Sequence, residues 1–394
     1  MILEEIDKKY VLQTYNRNYA NFKCGQNATL FDESGKEYID FTSGIGVVSV
    51  GHGNRRVANA IYEQVSNITH ISNIYLIEPQ ALLAKKIVEL SGYDMAVFFA
   101  NSGAEANEGA IKIARKYGQK KFKNKKYKIL TLEHSFHGRT IATIKATGQE
   151  KFHQVDFSPY PDGFEYKPTI KDLYDAIDNE TVAVMIELIQ GEGGVAAFDK
   201  EEIKELTKYL KEKEVLLIVD EVQSGVYRSG EFLASKLYDI EPDIITLAKG
   251  LAGGVPIGAI LSKHKDILTY GDHGSTFGGN FLSTRAGLEV LDILDSYKNE
   301  RLLKETIEIF EKNLNKVKEQ YPTIFTKITG IGLMRGLKCK DDETLAKIIS
   351  GSFDEGLLVL KAGQSTLRFL PPLTIIKDEI DEGFRRLNEV LRKI

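Results

Sequence analysis

The middle of the chain alternates between short apolar runs and stretches with helical periodicity. Continuous runs of four to six apolar residues are typical of strands that are buried on both faces. The predicted strands cover residues 95–100, 128–132, 182–187, 215–220 and 244–247, and the predicted helices lie near 54–67, 78–91, 104–118 and 201–213. Strands that alternate with helices predict an α/β fold with a mostly parallel sheet covered by helices.

The two ends of the chain follow different patterns. Residues 28–32 and 37–41 read as a β-hairpin with Gly35 in the turn. After residue 290 the apolar positions recur at steps of three and four, which indicates amphipathic helices around 303–317 and 380–391. Short strand-like pieces lie between those two helices.

These patterns predict two folding units, because 394 residues exceed what one hydrophobic core usually serves. We expect residues 51–290 to form a large α/β domain. Residues 291–394 then form a smaller α+β domain, which the N-terminal segment 1–50 joins.

Composition excludes several classes of protein. The net charge is −4, from 52 basic and 56 acidic residues, so neither nucleic acid nor an anionic membrane is expected as a partner. Cys24 and Cys339 lie far apart without metal-ligand spacing, which favours a reducing compartment. The N-terminus lacks an apolar signal core. The prediction is a cytoplasmic protein.

Lys249 follows the apolar run 244–247 and precedes a glycine-rich loop. Open α/β sheets bind ligands at this edge, and desolvation there lowers the pKa of a lysine amine and makes it nucleophilic. The alternative is a solvated lysine in a loop. Asp220 ends another predicted strand 29 residues earlier, about one βαβ unit. The two side chains either form a direct salt bridge or face each other across a bound cofactor.

A candidate anion site lies at residues 101–107. Ser102 is suited to cap the following helix, with Glu105 completing a capping box. The amides of Gly103 and Ala104 then point out of the helix start, where the dipole favours a phosphate. The alternative is a cap without a ligand. The segment is neither a Walker loop nor a GxGxxG fingerprint.

Several further side chains have the chemistry of a binding site. Phe136 is suited to stack on a planar ring, and Arg139 to bind a carboxylate with two hydrogen bonds. Arg368, among apolar neighbours, is either half of an ion pair or a second carboxylate site. His134 and His137 lack further ligands at metal-binding spacing, so we expect core or loop histidines and no metal.

Six segments together resemble the class III, fold-type I aminotransferases that depend on pyridoxal phosphate. They are Asn-Ser-Gly-Ala-Glu-Ala-Asn, Ser-Phe-His-Gly-Arg-Thr, Gln-Gly-Glu-Gly-Gly, Asp-Glu-Val-Gln-Ser-Gly, Leu-Ala-Lys-Gly and His-Gly-Ser-Thr-Phe-Gly-Gly-Asn, starting at residues 101, 135, 190, 220, 247 and 273. They occur in the family's order and spacing. The match runs from about Tyr15 to the C-terminus.

The resemblance implies a cofactor site. Lys249 holds pyridoxal 5′-phosphate as a Schiff base and moves the proton during transfer, and Asp220 pairs with the pyridine nitrogen. Gln223 reaches the ring hydroxyl. The implied cofactor-binding residues are Gly103, Ala104, Phe136, Asp220, Gln223, Lys249 and Thr276. Thr276 binds the phosphate of a neighbouring subunit, which implies a homodimer with shared active sites.

The resemblance also implies two substrates in a ping-pong reaction. The implied substrate-binding residues are Tyr15, Arg139, Glu192, Ser275 and Arg368. Arg139, beside Ser275, binds the α-carboxylate of the amino donor and the distal carboxylate of 2-oxoglutarate, whereas Arg368 binds the α-carboxylate of 2-oxoglutarate. Glu192 neutralises Arg368 while the donor is bound and swings away for glutamate.

Within the family, the closest resemblance is to the acetylornithine aminotransferase branch of arginine biosynthesis. That branch converts N2-acetyl-L-ornithine and 2-oxoglutarate to N-acetylglutamate 5-semialdehyde and glutamate. Ile45 stands where ornithine aminotransferases carry a tyrosine, which argues for an acylated donor. The alternative donors are succinyl-diaminopimelate, succinylornithine, ornithine and 4-aminobutyrate. A non-catalytic protein with this fold is a remote alternative, since it would be expected to lose Lys249 or Asp220.

Overall fold

The structure is a computed structural model that describes residues 2–123, 125–153 and 156–394. Its helices, in chain order, are α1 (Leu3–Tyr10), α2 (Ser43–Gly46), α3 (Arg55–Asn67), α4 (Glu78–Ser91), α5 (Gly103–Phe122), α6 (Ile141–Ala146), α7 (Ile170–Ala176), α8 (Lys200–Glu212), α9 (Ala234–Leu237), α10 (Phe281–Asn299), α11 (Leu302–Gln320), α12 (Asp342–Asp354) and α13 (Lys377–Leu391). Two short 3-10 turns cover Glu150–Phe152 and Lys249–Ala252. Within the described ranges, no helix is both long and apolar enough to cross a bilayer.

The strands belong to one large sheet and several smaller ones. In chain order they are β1 (Phe22–Gln26), β2 (Thr29–Asp32), β3 (Glu37–Asp40), β4 (Ala96–Ala100), β5 (Lys128–Leu132), β6 (Phe164–Lys167), β7 (Thr181–Ile186), β8 (Ile189–Gln190), β9 (Ala196–Ala197), β10 (Leu216–Asp220), β11 (Ile244–Leu247), β12 (Gly258–Ser262), β13 (Phe325–Ile331), β14 (Met334–Cys339), β15 (Leu357–Leu358), β16 (Leu360–Ala362) and β17 (Thr366–Phe369). The large sheet has the order β4-β12-β11-β10-β7-β5-β6.

The predicted mostly parallel sheet is confirmed. The exception is β12, which runs antiparallel to both β11 and β4. Its sequence, Gly-Ala-Ile-Leu-Ser, directly follows the glycine-rich loop and gave no separate strand prediction. Because the other strands are parallel, the carboxyl ends of β4, β5, β10 and β11 lie at the same edge of the sheet. The predicted site residues follow those ends.

Helices cover both faces of the large sheet. On one face, α5 buries Ala106, Ala110 and Ile113 in a core that includes Ile129 and Ile218. On the other face, α7 and α8 pack on alternate strand residues of the same sheet. The strands are therefore buried on both sides, which explains their continuous apolar sequences.

The N-terminal hairpin pairs with the distant C-terminal part of the chain. Strands β1, β2 and β3 form a sheet with β15, and β3 runs parallel to β15. Gly35 lies in the hairpin turn with φ +83°, a conformation that favours glycine. Phe41 packs edge-on against Phe310, with ring centroids 5.3 Å apart. The division at residues 50 and 290 stays a prediction.

Candidate active site

A cleft of about 370 Å³ opens at the carboxyl edge of the large sheet. Eight of the site residues expected from the sequence line it: Gly103, Ala104, Phe136, Arg139, Glu192, Asp220, Gln223 and Lys249. They come from five segments that are separated in the sequence. The loops after parallel strands bring them together.

Lys249 begins a 3-10 turn directly after β11, with φ +44°. Burial lowers the pKa of its amine, and the carboxylates of Asp220 and Glu192 partly oppose that shift. No ion pair joins Lys249 to Asp220 among the residues the structure describes. The direct salt bridge considered from the sequence is therefore wrong. A buried amine with a lowered pKa has the chemistry of a nucleophile.

Asp220 is buried and held by three donors. Its Oδ2 accepts from Asn107 Nδ2 at 2.8 Å and lies 2.8 Å from Nδ1 of His137. Its Oδ1 accepts from the amide of Val222 at 3.0 Å. Asn107 is fixed in turn, because its Oδ1 accepts from the hydroxyl of Thr246 at 2.7 Å. This network fixes one carboxylate at the floor of the cleft.

Sequence reasoning missed two members of that network, Asn107 and His137. His137 was expected to be a core or loop histidine, and it is indeed buried, but it bonds the one carboxylate that ends β10. Asn107 lies four residues after Gly103, on the buried face of α5. A polar residue at a buried helical position was the available signal, since such a group needs a partner.

The start of α5 forms the anion end of the cleft. Ser102 caps the helix as predicted, accepting from the amide of Glu105 at 3.2 Å. The predicted capping box is wrong, because the Glu105 carboxylate accepts from the amide of Asn101 at 2.7 Å rather than from that of Ser102. Amides in the first turn have no acceptor within the helix, so those of Gly103 and Ala104 are available to an anion.

Arg368 lies behind the cleft and is paired. Its Nη1 donates to Glu192 Oε1 at 2.6 Å, to the carbonyl of Gly191 at 3.2 Å and to Gln223 Oε1 at 3.3 Å. The side chain of Arg368 is 3% exposed, whereas that of Glu192 is 31% exposed. The cation is therefore fixed, and the carboxylate is the partner with room to move.

Arg139 lies on the outer side of the cleft and is exposed. Its guanidinium is 5.2 Å from the ring centroid of Phe136 and 3.9 Å from that of Phe152. Phe152 was not singled out from the sequence. A cation that packs on aromatic rings keeps its hydrogen-bond donors free for a ligand.

Glu187 is a further buried carboxyl that sequence reasoning did not assign to the site. One oxygen accepts from the amide of Phe136 at 2.7 Å, and the other from the amide of Gly191 at 3.0 Å. Burial, together with the nearby charge of Asp220, raises its pKa. Glu187 therefore links the loop that carries Arg139 to the loop that carries Glu192.

Besides Arg368, three predicted residues do not line the cleft of this chain. Ser275 accepts from Asn101 Nδ2 at 3.1 Å and from the amide of Gly278 at 2.9 Å, which places it near the cleft rim. Thr276 and Tyr15 are exposed. Their roles stay predictions.

The arrangement fits pyridoxal phosphate. The anion end at Gly103, the aromatic ring of Phe136, the carboxylate of Asp220 and the amine of Lys249 surround one space. They match, respectively, a phosphate, a planar ring, a ring nitrogen and an aldehyde. No group of three or more potential metal ligands occurs within the described ranges.

Similarity to known proteins identifies the family. The model of the class-III aminotransferases matches residues 11–391. A protein of Wolinella succinogenes named acetylornithine aminotransferase is 58% identical over 392 residues, which cover 99% of this chain and 100% of the relative. An acetylornithine aminotransferase of Methanocaldococcus jannaschii is 43% identical, with 99% of this chain and 98% of that protein covered.

Solved structures agree. An ornithine aminotransferase of Toxoplasma gondii superimposes with a TM-score of 0.91 at 30% identity, covering 99% of this chain and 94% of the other. An N-acetylornithine aminotransferase of Stenotrophomonas maltophilia has a TM-score of 0.84 at 30% identity, with 99% of each chain covered. The chain therefore belongs to the class-III aminotransferases, the fold-type I enzymes whose cofactor is pyridoxal phosphate.

Proposed function

We propose that this enzyme transfers the δ-amino group of N2-acetyl-L-ornithine to 2-oxoglutarate, as a step of arginine biosynthesis. The observation that carries the proposal is the ion pair of Arg368 and Glu192 at the same cleft as Arg139, which has no ion-pair partner in the described ranges. A donor with one carboxylate and an acceptor with two need one permanent and one switchable cationic site. The names of the relatives support the choice of donor.

Each cofactor-facing residue has a role in this proposal. Bound pyridoxal phosphate supplies an aldehyde that condenses with amines and a ring that accepts electrons. Lys249 would hold the cofactor through its aldehyde, and its amine would move a proton at the reacting carbon of the substrate. Asp220 keeps the ring nitrogen protonated, and His137 and Asn107 hold Asp220 in place. Phe136 stacks on the ring.

The remaining cofactor contacts are also proposals. The amides of Gly103 and Ala104 bind the phosphate, because both line the cleft at a helix start. Gln223 has an amide nitrogen with which to reach the ring hydroxyl, since its oxygen accepts from Arg368. Thr276 binds the phosphate of the neighbouring subunit.

Glu192 acts as the gate between the two substrates. With acetylornithine bound, Arg139 holds the α-carboxylate, beside Ser275, and Glu192 neutralises Arg368. With 2-oxoglutarate or glutamate bound, Glu192 turns away and Arg368 takes the α-carboxylate, while Arg139 takes the distal one. The exposure of Glu192 supports this movement. Tyr15 borders the entrance in this proposal, and Ile45 leaves no tyrosine hydroxyl for a free α-amino group.

A homodimer is part of the proposal. Asn73 Nδ2 donates to the carbonyl of Ser275 at 3.0 Å, which joins two exposed segments. Together these segments expose a set of large apolar side chains, namely Ile74, Tyr75, Leu76, Tyr270 and Phe277. Apolar surface of this extent is typical of an interface, and a second copy would cover it together with Thr276. A cytoplasmic location is consistent with the free, exposed thiol of Cys24.

Absorbance of the purified protein tests the proposal. We expect a band near the violet-blue boundary from the bound cofactor, and the true amino donor should bleach it. Acetylornithine, succinylornithine, succinyl-diaminopimelate, ornithine and 4-aminobutyrate, compared side by side, rank the donors. Lys249→Ala should abolish turnover and leave the fold intact. A wild-type protein whose band responds to ornithine faster than to acetylornithine would overturn the donor assignment.

A further inference from the structure

Arg139 packs against two aromatic rings, those of Phe136 and Phe152. It has no hydrogen bond or ion pair to any of the residues in the described ranges, and the contacts that restrain its guanidinium are with aromatic rings. The guanidinium carbon lies 3.9 Å from the ring centroid of Phe152. This is well inside the distance of about 6 Å at which a cation is attracted to a ring.

Phe152 interacts with more than one neighbour. The amine of Lys151 lies 4.8 Å from the same ring centroid, so two positive charges contact one ring. The ring of Phe152 also meets that of Phe136, at 6.0 Å between centroids and an interplanar angle of 69°. Edge-to-face packing of this kind fixes the orientation of both rings. Phe152 therefore connects Arg139 to the ring that faces the cofactor site.

Aromatic support has a consequence that a carboxylate partner would not have. A carboxylate within ion-pair distance would occupy the guanidinium donors and cancel their charge, as Glu192 does for Arg368. A ring restrains the position of the cation and leaves its in-plane N–H donors unbonded. Arg139 thus keeps its full charge and its bidentate geometry for an incoming carboxylate.

We propose that Phe152 is a positioning residue that sets the affinity of the enzyme for carboxylate-bearing substrates by holding Arg139 in place. The proposal rests on the role of Arg139 in the proposed function. It predicts that loss of the ring lowers the affinity only for substrates whose carboxylate reaches Arg139.

Two donors that differ only in that carboxylate test the proposal. N-acetylputrescine is acetylornithine without its α-carboxylate. In Phe152→Leu we expect kcat/KM for acetylornithine to fall about five- to tenfold, mainly through KM, because a cation–π contact is lost. We expect kcat/KM for N-acetylputrescine to stay within about twofold, and Phe152→Tyr to restore the wild-type ratio, since it keeps the ring.

A binding measurement without turnover gives a second readout. Glutarate presents two carboxylates and no reactive group, and its Kd by calorimetry should rise in Phe152→Leu by a similar factor. Phe157→Leu is the matched control, because Phe157 is an exposed phenylalanine of the same region. It should change neither the donor ratio nor the Kd for glutarate.

The outcomes distinguish a failure of the role of Phe152 from a failure of the role of Arg139. Equal losses for both donors in Phe152→Leu, or no loss for either, would overturn the role of Phe152. Arg139→Met serves as the reference for the proposed function. If it leaves the ratio between the donors unchanged, the role of Arg139 itself fails. If it changes the ratio while Phe152→Leu does not, only the role of Phe152 fails.

Discussion

The two arginines of the site are held in opposite ways. Arg368 is buried and neutralised by Glu192, with further bonds to Gly191 and Gln223. Arg139 is exposed, has no carboxylate partner in the described ranges, and lies over aromatic rings. One arginine is thus buried and neutralised, whereas the other is exposed and available to a ligand.

This difference matches two tasks in one reaction cycle. An arginine that binds a carboxylate in both half-reactions is best kept charged and open, since a permanent carboxylate partner would weaken the binding of every substrate. A site that binds a carboxylate in only one half-reaction needs a counter-charge in the other, because a buried guanidinium without a partner is costly. Glu187 bonds the backbone of both loops and so keeps the two arrangements in a fixed relation.

Among substitutions at the two arginines and their partners, Arg368→Met should have the largest effect. It removes the α-carboxylate site of 2-oxoglutarate and leaves Glu192 without its partner. We expect kcat/KM for 2-oxoglutarate to fall about a hundredfold or more, whereas the half-reaction with acetylornithine changes less than about fivefold. Single-turnover absorbance measurements resolve the two half-reactions. Equal losses in both would show that Arg368 serves the fold rather than one substrate.

Arg139→Lys should have the second largest effect, in both half-reactions. Lysine keeps the charge but loses the planar fork and the stacking on Phe152, so we expect KM to rise about ten- to thirtyfold for acetylornithine and for 2-oxoglutarate. Steady-state kinetics with each substrate varied in turn measure this. An unchanged KM for acetylornithine would mean that Arg139 does not bind the carboxylate of the donor.

Much of the fold follows from the sequence, because each buried strand is a continuous apolar run. The strand at 244–247 and the helix at 78–91 have the predicted bounds. Strands β6 and β12 of the large sheet were missed. The apolar run of β12 follows glycines and a proline that indicate a loop, and only pairing with β4 and β11 makes it a strand.

The site was predictable where one residue sits at the end of a strand or the start of a helix. Asp220, Lys249 and Ser102 are of this kind. His137, Glu187 and Phe152 are not, because their partners come from other segments and only the tertiary fold brings them together. Glu105 shows the same limit, since its carboxylate bonds the amide of Asn101 rather than completing the capping box.

Glu192→Gln should have a smaller effect than either arginine substitution. The variant keeps the size of the gate and removes its charge, so Arg368 is no longer neutralised when acetylornithine is bound. We expect the preference to shift about tenfold toward glutamate, measured as the ratio of kcat/KM values for the two donors. Glu212→Gln, on the exposed surface of α8, is the control. A ratio that does not move would rule out the gate.

Glu187→Gln should have the smallest effect, visible mainly as a change with pH. Burial raises the pKa of Glu187 above its ordinary value of 4.5, so the folded protein keeps this proton at pH values where the unfolded chain has lost it. The folded state then binds more protons in that window, and the contribution of Glu187 to the free energy of unfolding falls as pH rises from 4.5 through the raised pKa. Urea unfolding at fixed protein and cofactor concentration, from pH 5 to 7.5, should show a decline in the free energy of unfolding that is steeper in the wild type than in the variant, by on the order of 1–2 kcal/mol over this range. Because both loops lose a carboxylate acceptor, KM for acetylornithine and for 2-oxoglutarate should rise together, by about twofold. An equal pH slope in variant and wild type, or a rise confined to one substrate, would show that Glu187 does not tie the Arg139 loop to the Glu192 loop.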